Sequence, residues 1–184
     1  MEETQNQPTS IYNHAIKFGL ILGVISIVCV ILSYIIDLSF MASFKFIGLM
    51  LIVGLGMTIY AGINYRNEIG GYLPYSKAFI HGMLVLSVSG LVGLVFNIVL
   101  YTIIDPELPQ KLTDAIIENT ESMMRRFNAP EESIDQATEK MRGELPANFA
   151  PVGLAFGYVK ALIWYAIIAA ITSLFVRKNE PVEM

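Results

Sequence analysis

Charge is scarce in this chain. Only 15% of its 184 residues are Asp, Glu, Lys or Arg, while 54% are apolar or aromatic. Soluble domains carry about 25% charged and about 45–50% apolar residues, so both departures point away from a water-soluble domain. A disordered chain needs the reverse balance and is excluded. There is no basic excess: the net charge of −4 speaks against nucleic-acid binding, which calls for a basic face. A single cysteine, Cys29, leaves no internal disulfide and no cysteine-built zinc site. The two histidines, His14 and His81, fall on different apolar segments with no carboxylate or cysteine at ligand spacing, so no metal is expected. His-Glu-x-x-His, Gly-x-Ser-x-Gly, a phosphate-binding glycine loop and Cys-x-x-Cys are all missing. Neither enzymatic activity nor a cofactor is expected. The length allows one domain.

What the chain does have is long apolar runs and a mean hydropathy of +0.57. Crossing the hydrocarbon core takes about 20 residues at about 1.5 Å each. Four segments qualify: Ala15 to Ile36, Phe46 to Asn64, Ala78 to Ile104 and Val152 to Val176. The expectation is an all-α polytopic membrane protein, with four transmembrane helices and a polar helical insert between spans three and four. A barrel would instead show short strands of alternating polarity. The third run exceeds the core thickness and is expected to tilt or to project into water. The first reads as a retained helix rather than a cleaved signal. It follows Glu2 and Glu3 instead of lysines, and Ile27 and Val28 before Cys29 are too bulky for a lipoprotein cleavage site.

The division that follows is a polar tail at 1–14, spans one to three within 15–104, an extracytoplasmic amphipathic helical hairpin at 105–151, span four at 152–176 and a second tail at 177–184. Asp105-Pro106 and Pro109 stop the third span, and Pro146 and Pro151 precede the fourth. Within the insert, Leu112, Ala115, Ile116, Asn119, Met123 and Phe127 recur at helical spacing, as do Ile134, Ala137, Met141 and Leu145. Asn128-Ala129-Pro130 followed by Glu131 and Glu132 reads as a break and a fresh helix start. The hairpin is either a lid or interaction domain, or a cover that lays its Met and Phe face over the mouth of the spans.

Lys17, Arg66, Lys77, Arg177 and Lys178 flank the spans on the side of both termini, against Lys45 on the short opposite link. Such a bias places both termini in the cytoplasm of a bacterial inner membrane.

The connection between spans two and three reads Tyr65-Arg66-Asn67-Glu68-Ile69-Gly70-Gly71-Tyr72-Leu73-Pro74-Tyr75-Ser76-Lys77-Ala78-Phe79. Together with Gly82, Gly90 and Ile104-Asp105-Pro106 it resembles the bacterial four-span membrane family catalogued as domain-of-unknown-function family 4199. Pro74 and Ser76 depart from that pattern. The resemblance runs from Ala15 to Val176 and implies the four-span architecture; the family has no established activity, so no catalytic residue carries over. Read on their own, Tyr65, Arg66, Gly70, Gly71 and Tyr72 form a cytoplasmic turn. It either anchors the interface through its aromatic and basic side chains or docks a partner.

Small residues recur every fourth position at Ala15, Gly19 and Gly23 in span one, at Ser89 and Gly93 in span three and at Gly153, Gly157 and Ala161 in span four. Such faces let helices approach closely, within one molecule or between two copies. Asn97 and Tyr101 in span three and Lys160 in span four are the candidate functional polar residues. An interhelical hydrogen bond accounts for Asn97, and snorkelling to the interface for Lys160. Alternatively the three line a polar route through a small oligomeric transporter or channel. The leading expectation is a non-catalytic accessory or interaction module whose partners are the lipid bilayer and either another membrane protein or a second copy.

Overall fold

A computed structural model describes residues 10–180. The tails at 1–9 and 181–184, and with them the reading of Glu2 and Glu3, lie outside the described residues. In chain order the helices are α1 (Ile11–Ile36), α2 (Leu38–Met41), α3 (Phe44–Glu68), α4 (Tyr75–Val99, prolonged by a π-helical turn over Leu100–Ile104), α5 (Leu108–Arg126), α6 (Glu131–Phe149) and α7 (Pro151–Val176). Helices α1, α3, α4 with its π turn, and α7 are long and apolar enough to cross a membrane.

Each long helix outruns the apolar segment that announces it. Backbone donors and acceptors are satisfied by continuing the helix, so a helix can run past its apolar segment to a chain breaker, although α1 and α7 end with their apolar runs at Ile36 and Val176. Helix α3 therefore runs on through Asn64, Tyr65, Arg66 and Glu68 to Gly70 and Gly71. These two glycines have φ of +96° and +89°, a left-handed conformation that other residues resist. The connection expected over 64–77 shrinks to a tight turn, with most of its motif on helix ends. Pro146 lies inside α6 and does not end it, and Pro151 opens α7.

Helix α4 is central, with α1 on one side and α7 on the other, while α3 leans on α7 and α4. The small residues of α1 explain one contact. A Cβ on Gly19 would sit 2.7 Å from Val88 Cβ and 2.9 Å from the Val85 carbonyl oxygen, and one on Gly23 would meet Val92 at 2.8 Å. Gly62 of α3 receives Val176 of α7 in the same way, at 2.8 Å. In hydrocarbon such close fits hold helices together, because lipid tails are as apolar as leucine. The outward faces are apolar: Ile52 is 70% and Trp164 66% exposed.

Burial is uneven along the spans. Helix α1 buries His14, Ala15, Phe18, Gly19, Leu22 and Gly23 in its first half, and α3 buries Thr58, Ala61, Gly62 and Tyr65 in its second. Helix α4 buries residues between Ala78 and Ser89, and α7 between Ala169 and Val176. All of these lie toward the end where α3 turns into α4. At the opposite end α5 seats Leu108, Leu112 and Ile117, with Leu100 and Tyr101 of α4 buried alongside, and Tyr101 packs edge-to-face on Phe149. Helix α6 packs against α5 through Ile134. Phe127, expected to cover the mouth, is 80% exposed. It caps the C-terminus of α5, one residue past Arg126, where Asn128 (φ +54°) turns the chain out of the helix.

Candidate functional site

At the α3–α4 end, four side chains from three helices meet around two buried imidazoles. His14 lies near the start of α1, Asn64 and Glu68 near the end of α3, and His81 early in α4, so the helix directions alone bring them level. His14 Nδ1 is 2.9 Å from His81 Nε2, and His14 Nε2 is 3.0 Å from Asn64 Oδ1. Glu68 Oε1 lies 3.7 Å from the same His14 nitrogen. Oxygen acceptors on that side fix the tautomers: His14 Nε2–H donates to Asn64 and faces the Glu68 carboxylate. His14 Nδ1 is then bare and accepts from His81 Nε2–H. His81 Nδ1 is left as a lone pair with no partner on a ring that is fully buried. Buried polar atoms normally find partners, so this one stands out. Tyr65 stacks on His81 with ring centroids 5.2 Å apart, and Phe18 stacks on His14 at 4.6 Å. Among the described residues no group of three or more His, Cys, Asp or Glu side chains is disposed to hold a metal ion.

The turn motif surrounds this pair. Tyr65 forms its stacking wall. Arg66 Nη1 donates to the Val176 carbonyl at 2.9 Å, satisfying an acceptor that the end of α7 leaves open. Gly70 and Gly71 reverse the chain so that Leu73, fully buried, pairs with Lys178 through two backbone hydrogen bonds of 2.8 and 2.9 Å. Lys178 in turn lies over the Tyr72 ring, 5.4 Å from its centroid.

A second feature occupies the opposite half of the spans. All four long helices wall a cavity of about 450 Å³ whose lining is mostly apolar, with Ser26, Ser89, Asn97, Tyr158 and Tyr165 as polar members. Along this wall α3 stands away from its neighbours: a Cβ on Gly54 would meet nothing within 4 Å. Gly93 and Gly157 are equally unobstructed and also line it. Asn97 Oδ1 is buried there without a partner. Of the polar residues singled out in the sequence, Asn97 alone lines this space. Tyr101 is one turn further on, buried against Phe149 beneath α5. Lys160 is exposed and borders a separate recess with Ala147, Asn148 and Phe156.

Beyond the cavity, Tyr34 of α1 donates to Asp105 Oδ2 at 3.0 Å, and Lys111 Nζ lies 3.5 Å from the same oxygen. Partial burial alone would push the Asp105 carboxyl up, but the hydrogen bond from Tyr34 and the Lys111 ammonium hold it below its ordinary value.

Reading the sequence singled out the turn motif and Asn97 but missed the histidine pair. Its partners are 67 and 50 residues from His14, so no local spacing joins them. The signal that was available is topological: both histidines lie within two turns of span ends on one side of the membrane. No curated protein and no solved structure matches the chain. A family model described as "Protein of unknown function (DUF4199)" matches residues 17–178.

Proposed function

Because the chain belongs to the DUF4199 family of proteins of unknown function, and because four of its helices are of membrane-crossing length, we propose a binding role within the bilayer. In this reading it is a multi-pass protein of the bacterial inner membrane, with both termini in the cytoplasm and α5 and α6 outside. It performs no catalysis and uses no cofactor; it serves as an accessory or interaction module for another membrane protein. The orientation rests on the basic residues at the α3–α4 end. Alkaline phosphatase fused after Asn128 is expected to be active; an inactive but stably expressed fusion reverses the orientation.

The observation that carries the interaction role is the standing-off of α3. Its first half presents Gly54 with no neighbour on the wall of the cavity, where Gly93 of α4 and Gly157 of α7 are equally open. Small residues opening on one cavity from three helices suit close contact with a further helix. The test is purification of the full chain from its native membrane in mild detergent. A membrane protein that co-purifies with the wild type and is lost on Gly54→Leu, with folding retained, supports the module. At Gly54 the added Cβ meets no atom of this chain within 4 Å and the side chain enters the cavity.

The second reading is a small oligomeric transporter, favoured by the unpartnered Asn97 Oδ1 in the same cavity. A discrete homo-oligomer without other proteins, and solute flux in liposomes that Asn97→Leu abolishes, would replace the module with this reading.

A further inference from the structure

Two buried imidazoles in hydrogen-bond contact, with a surface carboxylate 3.7 Å from one end and a bare nitrogen at the other, have more connectivity than packing requires. A histidine kept only for shape would have both nitrogens satisfied or be replaced by an apolar side chain of similar volume. Here one nitrogen of His81 is orphaned in the interior, and the chain of contacts runs outward from it. His81 Nε2–H donates to His14 Nδ1, His14 Nε2–H faces Asn64 and Glu68, and Glu68 is 42% exposed.

We propose that His81, His14 and Glu68 form a proton relay between the interior of the spans and the surface at the α3–α4 end, with the proton as its ligand. In the inward-to-outward direction His81 Nδ1 accepts a proton, its Nε2–H passes to His14 Nδ1, and the His14 Nε2–H passes to Glu68 Oε1. One proton enters and one reaches the carboxylate, and only N–H and O–H bonds form or break. Both rings finish as the Nδ1–H tautomer, so a ring rotation or passage in reverse restores the starting state. Asn64 holds His14 in the orientation that faces Glu68.

The surroundings fit a relay for one proton at a time. Two imidazolium rings with centroids 5.1 Å apart and facing nitrogens at 2.9 Å would repel strongly away from water, so the pair accommodates a single added charge. The other polar and charged groups of the packed elements are engaged or turned outward. Arg66 holds the Val176 carbonyl, Tyr75 Oη donates to the Ala170 carbonyl at 3.3 Å, and the Thr172 and Ser173 hydroxyls donate to the Ala169 carbonyl. Lys17 and Lys77 are exposed. Lys178 covers Tyr72, and Glu180 borders the recess outside Tyr65. Glu68 is the carboxylate that reaches the pair. Leu22, Val85 and Leu86 belong to the buried apolar cluster of these helices, and Leu22 and Leu86 also line the cavity.

The experiment is 15N NMR of histidine-labelled full-length protein in lipid nanodiscs, followed from about pH 4 to about pH 9, a range that spans ordinary imidazole titration. The relay predicts that both rings are Nε2-protonated at the alkaline end and share one hydrogen bond. On acidification their signals shift together as the pair takes up one proton. Glu68→Gln, at an exposed position and unable to take the proton, is expected to slow exchange of that proton with solvent at least about tenfold. Glu118→Gln, an exposed carboxylate on α5, leaves it unchanged. Two rings titrating independently, no proton uptake across the range, or exchange unaffected by Glu68→Gln would each overturn the relay.

Discussion

The two halves of the membrane-crossing region are built on opposite terms. Toward the α3–α4 turn, glycines are filled by a neighbour's valine, Leu73 and Val85 are fully buried, and the polar side chains are tied across helices. Toward α5, Gly54, Gly93 and Gly157 open on a cavity of about 450 Å³ between the four long helices, while Gly90 is filled by Tyr165 and Gly153 by Ala147 of α6. The same residue type thus has two meanings, close contact in one half and, around the cavity, room in the other. The difference teaches that one end of the spans fixes the structure and the other is free to accommodate something else.

The sharpest way to break this comparison is to fill glycines in both halves. Gly19→Ala puts its Cβ 2.7 Å from Val88 Cβ and 2.9 Å from the Val85 carbonyl oxygen, and is expected to cost about 2–3 kcal/mol, the upper part of the usual overpacking range. In Gly93→Ala the Cβ meets nothing within 4 Å, so this variant should stay within about 0.5 kcal/mol of the wild type. Thermal unfolding of the two variants in the same detergent measures the contrast. Equal losses would mean that the far half is packed as tightly as the near one.

Truncation gives the next effect. Leu73→Ala empties a fully buried site, with an expected loss of about 2–3 kcal/mol. Ile52→Ala trims a side chain that faces outward and is 70% exposed, so it is expected to leave the melting temperature nearly unchanged. Below these comes Arg66→Gln, which gives up the charged donor to the Val176 carbonyl. A loss of about 1–2 kcal/mol is expected, with earlier proteolysis after Val176 as the local sign.

The spans were legible in the sequence because membrane crossing is set by apolar length, which composition reports directly. The uneven packing was not. Apolar side chains in a membrane helix face lipid or a neighbouring helix equally well, so hydropathy along α3 does not distinguish Ile47, which is 62% exposed, from Ala61, which is fully buried. The motif Tyr65, Arg66, Gly70, Gly71 and Tyr72 was visible as a pattern, but its work required the end of α7 to be beside it. Arg66 reaches a carbonyl 110 residues away. Likewise His14 and His81 read singly as isolated polar residues, and their chemistry appears only when two helices starting on the same side are placed together. Phe127 shows the converse: helical spacing put it on the apolar face, and the end of the helix took it off.

The smallest expected effect lies at the far end and depends on pH. Asp105 is held below its ordinary value by the Tyr34 hydrogen bond and the Lys111 ammonium. A depressed carboxyl contributes stability that is present above its unfolded value, about 3.9. That contribution is lost as the pH falls through the lower folded value. Docking of α5 should therefore loosen only in strong acid, read as faster cleavage near Asn128 by an acid-active protease. In Tyr34→Phe the loosening should begin at higher pH, because one of the groups holding the carboxyl down is gone.

The asymmetry itself is tested most directly by spin-label distances between α3 and α4, measured by electron double resonance on the full chain in nanodiscs with Cys29→Ser as background. One pair replaces Asn67 and Ile80 at the packed end, the other Ile47 and Val95 at the open end; all four positions are exposed. A narrow distance distribution is predicted for the first pair and a distinctly broader one for the second. Equally narrow distributions at both ends would contradict the account, since α3 would then be held along its whole length.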